Sequence, residues 1–232
     1  MRRARLLSAN GYGVRRCSPS CAAATGPKRC AAGRRSPWGP ILEHVDTQGF
    51  EDADDLPITE RAFHTLQESL RKLYRDANVP KEVRRRILEA SVRAPQDWHE
   101  DAIRAAYASG DEVWRLTAVF CMGFVRGFEK QILETLDTEN PDIHYEAVVA
   151  AGNWGLDAAW PHVAALVTSK KTDKPLLLAA IEAIASIRPR DAIGLLDGLA
   201  DSHDDDIAAA AEESMTAAGS PGDEDDDDDC PY

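Results

Sequence analysis

From Thr59 to Gly219 the apolar residues recur at helical spacing, and no alternating, strand-like run interrupts them. One phrase returns along this stretch. An apolar residue is followed by small residues four and seven positions later, then by Gly or another small residue at nine. Its clearest copy runs from Ile143 through Ala147 and Ala150 to Gly152. The same register gives Trp114, Ala118, Cys121 and Gly123, then Leu176, Ala180, Ala183 and Ala185, then Ile207, Ala211, Ser214 and Thr216. A weaker copy is Val83, Ile87, Ala90 and Val92. The five anchors 83, 114, 143, 176 and 207 are spaced by 31, 29, 33 and 31 residues, a period that marks a repeat architecture.

Offsets 0, 4 and 7 share one helix face, and small residues at 4 and 7 let a neighbouring backbone approach closely. Gly at offset 9 is expected to end or relax the helix. Between the phrases lie second apolar stripes: Ile103, Ala106 and Tyr107; Ile132, Leu133 and Leu136; Val163, Leu166 and Val167; Ile193, Leu196 and Leu199. Start signals separate them. Asn140-Pro141-Asp142 reads as an N-cap, a first-turn proline and an acid at the positive helix end. Gly110-Asp111-Glu112 and His203-Asp204-Asp205-Asp206 play the same part, Pro189 can open the last second-type helix, and Pro161 is expected in a first turn. The unit is thus a helix–turn–helix of about 31 residues. One pair cannot bury its face alone, so the expected fold is all-α, a right-handed α-solenoid of about five antiparallel helix pairs. A further amphipathic helix over residues 59–78, carrying Phe63, Leu66, Leu70, Leu73 and Tyr74, is expected to cap its N-terminal end, and the polar outer face of the last helix (Glu212, Glu213, Thr216) its C-terminal end.

Charge divides the 232 residues further. The chain holds 27 Lys and Arg against 40 Asp and Glu, a formal charge of −13. Residues 1–40 carry nine bases and no acid, residues 41–219 carry 18 bases and 33 acids, and residues 220–232 carry seven acids and no base. The first segment has the basic, acid-free composition of an organelle transit peptide, or of GC-rich DNA translated from a mis-assigned start. Its cysteines Cys17, Cys21 and Cys30 lack the paired spacing and the nearby His of a zinc site. Residues 41–58 read as an acidic linker and residues 220–232 as an acidic, solvating tail. An acidic body disfavours nucleic acid. No stretch reaches 18 apolar residues, so no membrane helix is expected. The expected compartment is the cytoplasm, or an organelle if the leader is genuine. Cys121, inside a periodic apolar segment, is expected as a buried thiol.

The phrase from Asp142-Ile143-His144-Tyr145-Glu146-Ala147 to Ala151-Gly152, with Asp111-Glu112 before Trp114-Arg115 as its next copy, resembles the HEAT repeat, in the short form named after phycobilisome lyases. The resemblance covers about Pro80–Gly219. The second repeat position, often Arg in that family, is Arg84 and Arg115 in two copies but His144, Leu177 and Ala208 in the others. That departure leaves the family's Asp–Arg ladder without its residues after the second copy. The resemblance implies a protein-binding scaffold or adaptor, with a phycobilin-lyase-like chromophore lyase or chaperone subunit as the alternative. It also raises a third reading, a deoxyhypusine-hydroxylase-like di-iron enzyme, whose ligands are His-Glu pairs at offsets 2 and 3. Here those offsets hold Arg85-Arg86, Leu116-Thr117, Tyr145-Glu146, Leu178-Ala179 and Ala209-Ala210, which cannot supply the imidazole and carboxylate set. The one His-Glu pair, His99-Glu100, falls at the start of a second-type helix.

Neither a nucleophile elbow, a Walker loop nor a dinucleotide fingerprint occurs, and no His within the repeats stands at i, i+4 from another ligand. No catalytic, cofactor-binding or metal residue is therefore assigned, and no cofactor is expected. In related solenoids the second helices line the concave, contact-making surface. That analogy places the protein-binding residues around Trp98, His99, Arg104, Lys130, Gln131, Glu134 and His162. The acidic body favours a partner with a basic segment. Neither nucleic acid nor membrane is expected as a partner, and the expected state is a monomer.

Overall fold

In the computed structural model, residues 38–48 and 58–219 are described, and all belong to one compact unit. The basic leader up to residue 37, residues 49–57 and the acidic tail lie outside the described residues, as do Cys17, Cys21, Cys30 and Cys230. Eleven α-helices appear among the described residues, and no strand. They are α1 (Trp38–Gln48), α2 (Glu60–Arg75), α3 (Lys81–Ser91), α4 (Asp97–Tyr107), α5 (Glu112–Met122), α6 (Glu129–Thr135), α7 (Pro141–Asn153), α8 (Trp160–Thr168), α9 (Lys174–Ile187), α10 (Pro189–Ala200) and α11 (Asp205–Gly219). A 3-10 turn, Asp157–Ala159, precedes α8.

The start signals form as their chemistry dictates. Asn140 Oδ1 accepts the backbone N–H groups of Asp142 and Ile143 at 3.0 and 3.2 Å, and Pro141 opens α7. Asp111 Oδ1 accepts from Val113 and Trp114 at 3.0 and 3.4 Å, and Asp204 Oδ1 from Asp206 and Ile207 at 3.1 and 3.4 Å. Each supplies an acceptor to N–H groups that no helical carbonyl can reach. Pro161 sits in the first turn of α8 and Pro189 in that of α10, where no helical hydrogen bond is lost.

The first-type helices α3, α5, α7, α9 and α11 stack in order, each against the next, and each second-type helix (α4, α6, α8, α10) packs on the first-type helix that follows it. The result is the all-α solenoid that the period implies. It comprises four complete pairs, because the fifth anchor helix, α11, has no second helix among the described residues. One continuous core runs from Leu88 to Ala211. The offset-4 and offset-7 residues Ala118, Cys121, Ala147, Ala150, Ala180 and Ala183 are all buried in it. Burial raises the Cys121 thiol pKa well above the ordinary range, so the group stays protonated and unreactive.

Polar contacts repeat with the same period. Tyr107 to Thr135, Glu112 to Asn140, Met122 to Trp154, Asp157 to Arg188 and Lys174 to Asp204 join groups separated by 28, 28, 32, 31 and 30 residues respectively. Each ties one repeat to the next. Arg85, itself buried, donates to Thr117 Oγ1 at 3.0 Å, while the Thr117 hydroxyl donates to Glu89 at 2.8 Å and Glu89 also accepts from Arg85. A buried guanidinium is tolerated only with such partners.

Two expectations require correction. Residues 38–48 form α1 where leader and solvated linker meet in the sequence reading. Leu42 and Val45, both fully buried, join Phe63 and Ala94 in a small second core, and Arg93 is ion-paired with Glu43. The Ile41, Leu42 and Val45 spacing gives α1 one apolar side, and that side has a surface to cover. The second correction concerns Gly152, which lies within α7 and does not end it. A Cβ there would meet Cα and Cβ of Ala183 at 2.7 Å. The absent side chain lets α7 and α9 touch, while the chain reverses at Gly155, whose φ of +56° suits glycine.

Candidate interaction surface

The residues placed on the contact surface by sequence separate into two groups. Trp98 and His99 belong to the core: Trp98 is 5% exposed and His99 0%. Their rings stack at 3.9 Å between centroids, and Tyr74 of α2 packs on Trp98 at 5.0 Å. The indole N–H of Trp98 donates to Gln96 Oε1 at 2.9 Å. His99 Nδ1 accepts the Gln96 backbone N–H at 2.9 Å, and its Nε2 faces Ser91 Oγ at 2.9 Å. This pattern makes His99 the N3 member of a capping box, the place usually taken by Glu or Gln, with the Nε2–H tautomer donating to Ser91. Burial pushes its pKa down to about 4, so the ring is neutral. Neither residue can meet a partner.

The other five remain accessible or half-buried. Arg104 of α4 is exposed, donates to Glu100 Oε1 at 2.6 Å and lies 5.0 Å over the buried ring of Phe128. Lys130 and Glu134, both on α6, face each other at 3.7 Å, and the partly buried Gln131 lends its backbone carbonyl to Thr135 at 2.6 Å. Arg104 over Phe128 and Tyr107 on Thr135 join α4 to α6, on which Lys130 and Glu134 are exposed. Burial of His99, with both ring nitrogens hydrogen-bonded, also leaves the lone His-Glu pair without a free imidazole nitrogen. Among the described residues no three His, Cys, Asp or Glu side chains converge as a metal site.

His162 has a partner that sequence reading does not find. Its Nε2 lies 2.8 Å from Nε2 of His144, and its Nδ1 lies 3.9 Å from Asp137 Oδ1. Burial, and secondarily the neighbouring His162, hold the His144 pKa below the ordinary imidazole value. The two residues are 18 positions apart on different helix types, so no local spacing announces them. The tryptophans serve packing: Trp154 donates to Met122 O at 2.7 Å beneath the Arg126 guanidinium, and Trp160 lies under that of Arg188.

The family described as HEAT repeats matches residues 129–216, from the start of α6 into α11. The matched segment is thus a run of HEAT repeats. HEAT repeats typically mediate contacts between proteins, and the matched segment holds Lys130, Gln131, Glu134 and His162. Among curated proteins none matches the chain. Ahead of the matched segment, the two arginines at the second repeat position form no ladder. Arg84 and Arg115 make no ion pair with a carboxylate among the described residues, and Nε of each is buried without a hydrogen-bond partner. Arg115 instead lies 5.2 Å over the Tyr107 ring. No described helix is long and apolar enough to cross a membrane.

Proposed function

We propose that this chain is a non-catalytic scaffold whose α4–α6 surface receives a basic segment of a protein partner. One observation carries the reading. Asp97, Glu100, Asp101, Glu129 and Glu134 are all exposed on these two second-type helices, and the only exposed bases beside them, Arg104 and Lys130, already face Glu100 and Glu134. The surplus carboxylates create a negative strip across adjacent repeats. Such a strip steers a basic segment and selects against an acidic one. Gln131 and His162, half-buried at its edge, supply neutral hydrogen-bonding groups that add specificity without charge.

The test is a titration of the full chain with a lysine-rich decapeptide, followed by fluorescence anisotropy. Binding is expected at low salt, falling as ionic strength rises. A Glu129→Lys, Glu134→Lys variant should bind about tenfold more weakly, a change worth about 1.4 kcal/mol. Binding that survives this reversal at full strength, or no binding even at low salt, removes α4–α6 as the contact surface.

A further inference from the structure

We infer that His144 and His162 form a surface site for a divalent metal ion of the kind that imidazole binds, with Zn²⁺ as its simplest probe. Their Nε2 atoms face each other at 2.8 Å, and the rings meet edge to face with centroids 5.0 Å apart. His144 stands near the start of α7 and His162 near the start of α8, so an ion held between them would join the two helices. Both residues are half-buried, and the His162 side chain is 29% exposed, so the fold holds the rings while solvent still reaches the pair. Two imidazole nitrogens are a smaller set than the three or four protein ligands of a resident zinc, and water completes the coordination.

Two neutral imidazoles that face each other through Nε2 share one proton: one nitrogen donates and the other accepts. Asp137 Oδ1, 3.9 Å from His162 Nδ1, favours the proton on that nitrogen and leaves the His162 Nε2 lone pair turned toward His144. A carboxylate behind the far nitrogen is also what orients a metal-binding histidine. On binding, the His144 proton moves from Nε2 to Nδ1, and the ion takes the place of the shared N–H between two Nε2 lone pairs. Nitrogens about 2.1 Å from Zn²⁺ lie roughly 3.0–3.4 Å apart, so the rings part by about 0.2–0.6 Å. The exposed carboxylates of Asp137 and Asp173 both act on His144 in the sense that favours a cation. Burial, and secondarily His162, hold the His144 pKa below the ordinary imidazole value, so protons compete little with a metal near neutral pH. The site shares His162 with the edge of the α4–α6 strip, yet it is read with metal alone and no peptide, so either reading can fail without the other.

The experiment titrates the isotope-labelled full chain with Zn²⁺ near neutral pH and follows the imidazole nitrogens by nuclear magnetic resonance. The Nε2 signals of His144 and His162 should move together along one binding curve. Mg²⁺, a hard ion that prefers oxygen, should leave both in place. In His162→Gln the His144 ring should stay unmoved at the Zn²⁺ concentration that shifts it in the parent, because one imidazole alone does not chelate. Asp137→Asn should weaken binding about tenfold, and parental affinity in it overturns the orienting role of that carboxylate. The inference fails if Zn²⁺ leaves both rings in place, even where the cysteines or the acidic run at Asp223–Asp229 take up the ion. It fails equally if Mg²⁺ moves the rings as far, or if His162→Gln binds Zn²⁺ at His144 as the parent does. The parent titration needs no variant, so it decides the matter even if a substitution prevents folding.

Discussion

His99 shows how one side chain can mislead a reading based on repeat position alone. A His beside a Trp on a second-type helix looks like a contact pair, yet both are buried, because the first turn of α4 tucks under α2 and α3. What sequence could not supply was the helix phase. Trp98 and His99 point inward while Asp97, Glu100 and Asp101 point outward, a division that follows from where Tyr74 and Ser91 lie. The consequence is a pH dependence. The folded pKa of about 4 lies below the ordinary imidazole value near 6.5, so the unfolded chain binds the proton more readily. The stability that neutral His99 contributes is complete above about pH 6.5 and is lost as the pH falls toward 4, roughly 2 kcal/mol by pH 5. Urea unfolding at pH 7 and pH 5 should show that loss in the parent. His99→Gln, which keeps an acceptor and a donor but cannot titrate, should lose measurably less between the two pH values. Equal losses in both would place the acid sensitivity elsewhere.

Among the elements, α1 is the one that composition concealed. Its Ile41, Leu42 and Val45 are readable as one apolar side, but they follow a basic stretch and precede Asp52, Asp54 and Asp55, and charge rather than periodicity dominates that region. The helix earns its place through few contacts: Leu42 and Val45 on Phe63 and Ala94, and Glu43 on Arg93. A helix of 11 residues is marginal alone, so this packing decides whether it forms. Leu42→Ala should therefore release α1, at a local cost of about 2–4 kcal/mol. Hydrogen exchange is expected to lose protection at residues 41–47 and to stay unchanged across α7 and α9, which share no core with α1. Protection lost equally in α7 would show that the small core is continuous with the large one. By contrast α5, α7 and α11 were fully legible, because Asp111, Asn140 and Asp204 mark their starts by a chemistry that is local in sequence.

For the molecule as a whole, periodicity announced the architecture and long-range side-chain encounters remained hidden. A period near 31 residues follows from stacking equal units, so the solenoid could be read before any contact was known. The meeting of His144 with His162, and the isolation of Arg84 and Arg115 from carboxylates, depend on the angle between neighbouring helices, which no spacing rule encodes. Stacking also makes stability a sum of nearest-neighbour terms, so one interface can be weakened without altering any pair internally. Gly152 is the place to do so, since an added Cβ meets the Ala183 backbone at 2.7 Å, where no flexible side chain can yield. Gly152→Ala should force α7 from α9 and destabilise the stack by about 1–3 kcal/mol, the usual range for overpacking. If the two halves then melt separately, the urea transition should broaden as its midpoint falls, because each half exposes less surface than the whole. Gly194→Ala is the control. It lies within α10 with nothing within 4 Å of the new Cβ, so there the gain in helix propensity, up to about 1 kcal/mol, should raise the midpoint. A Gly152→Ala midpoint equal to the parent's would mean that the α7–α9 approach is not a limiting contact of the array.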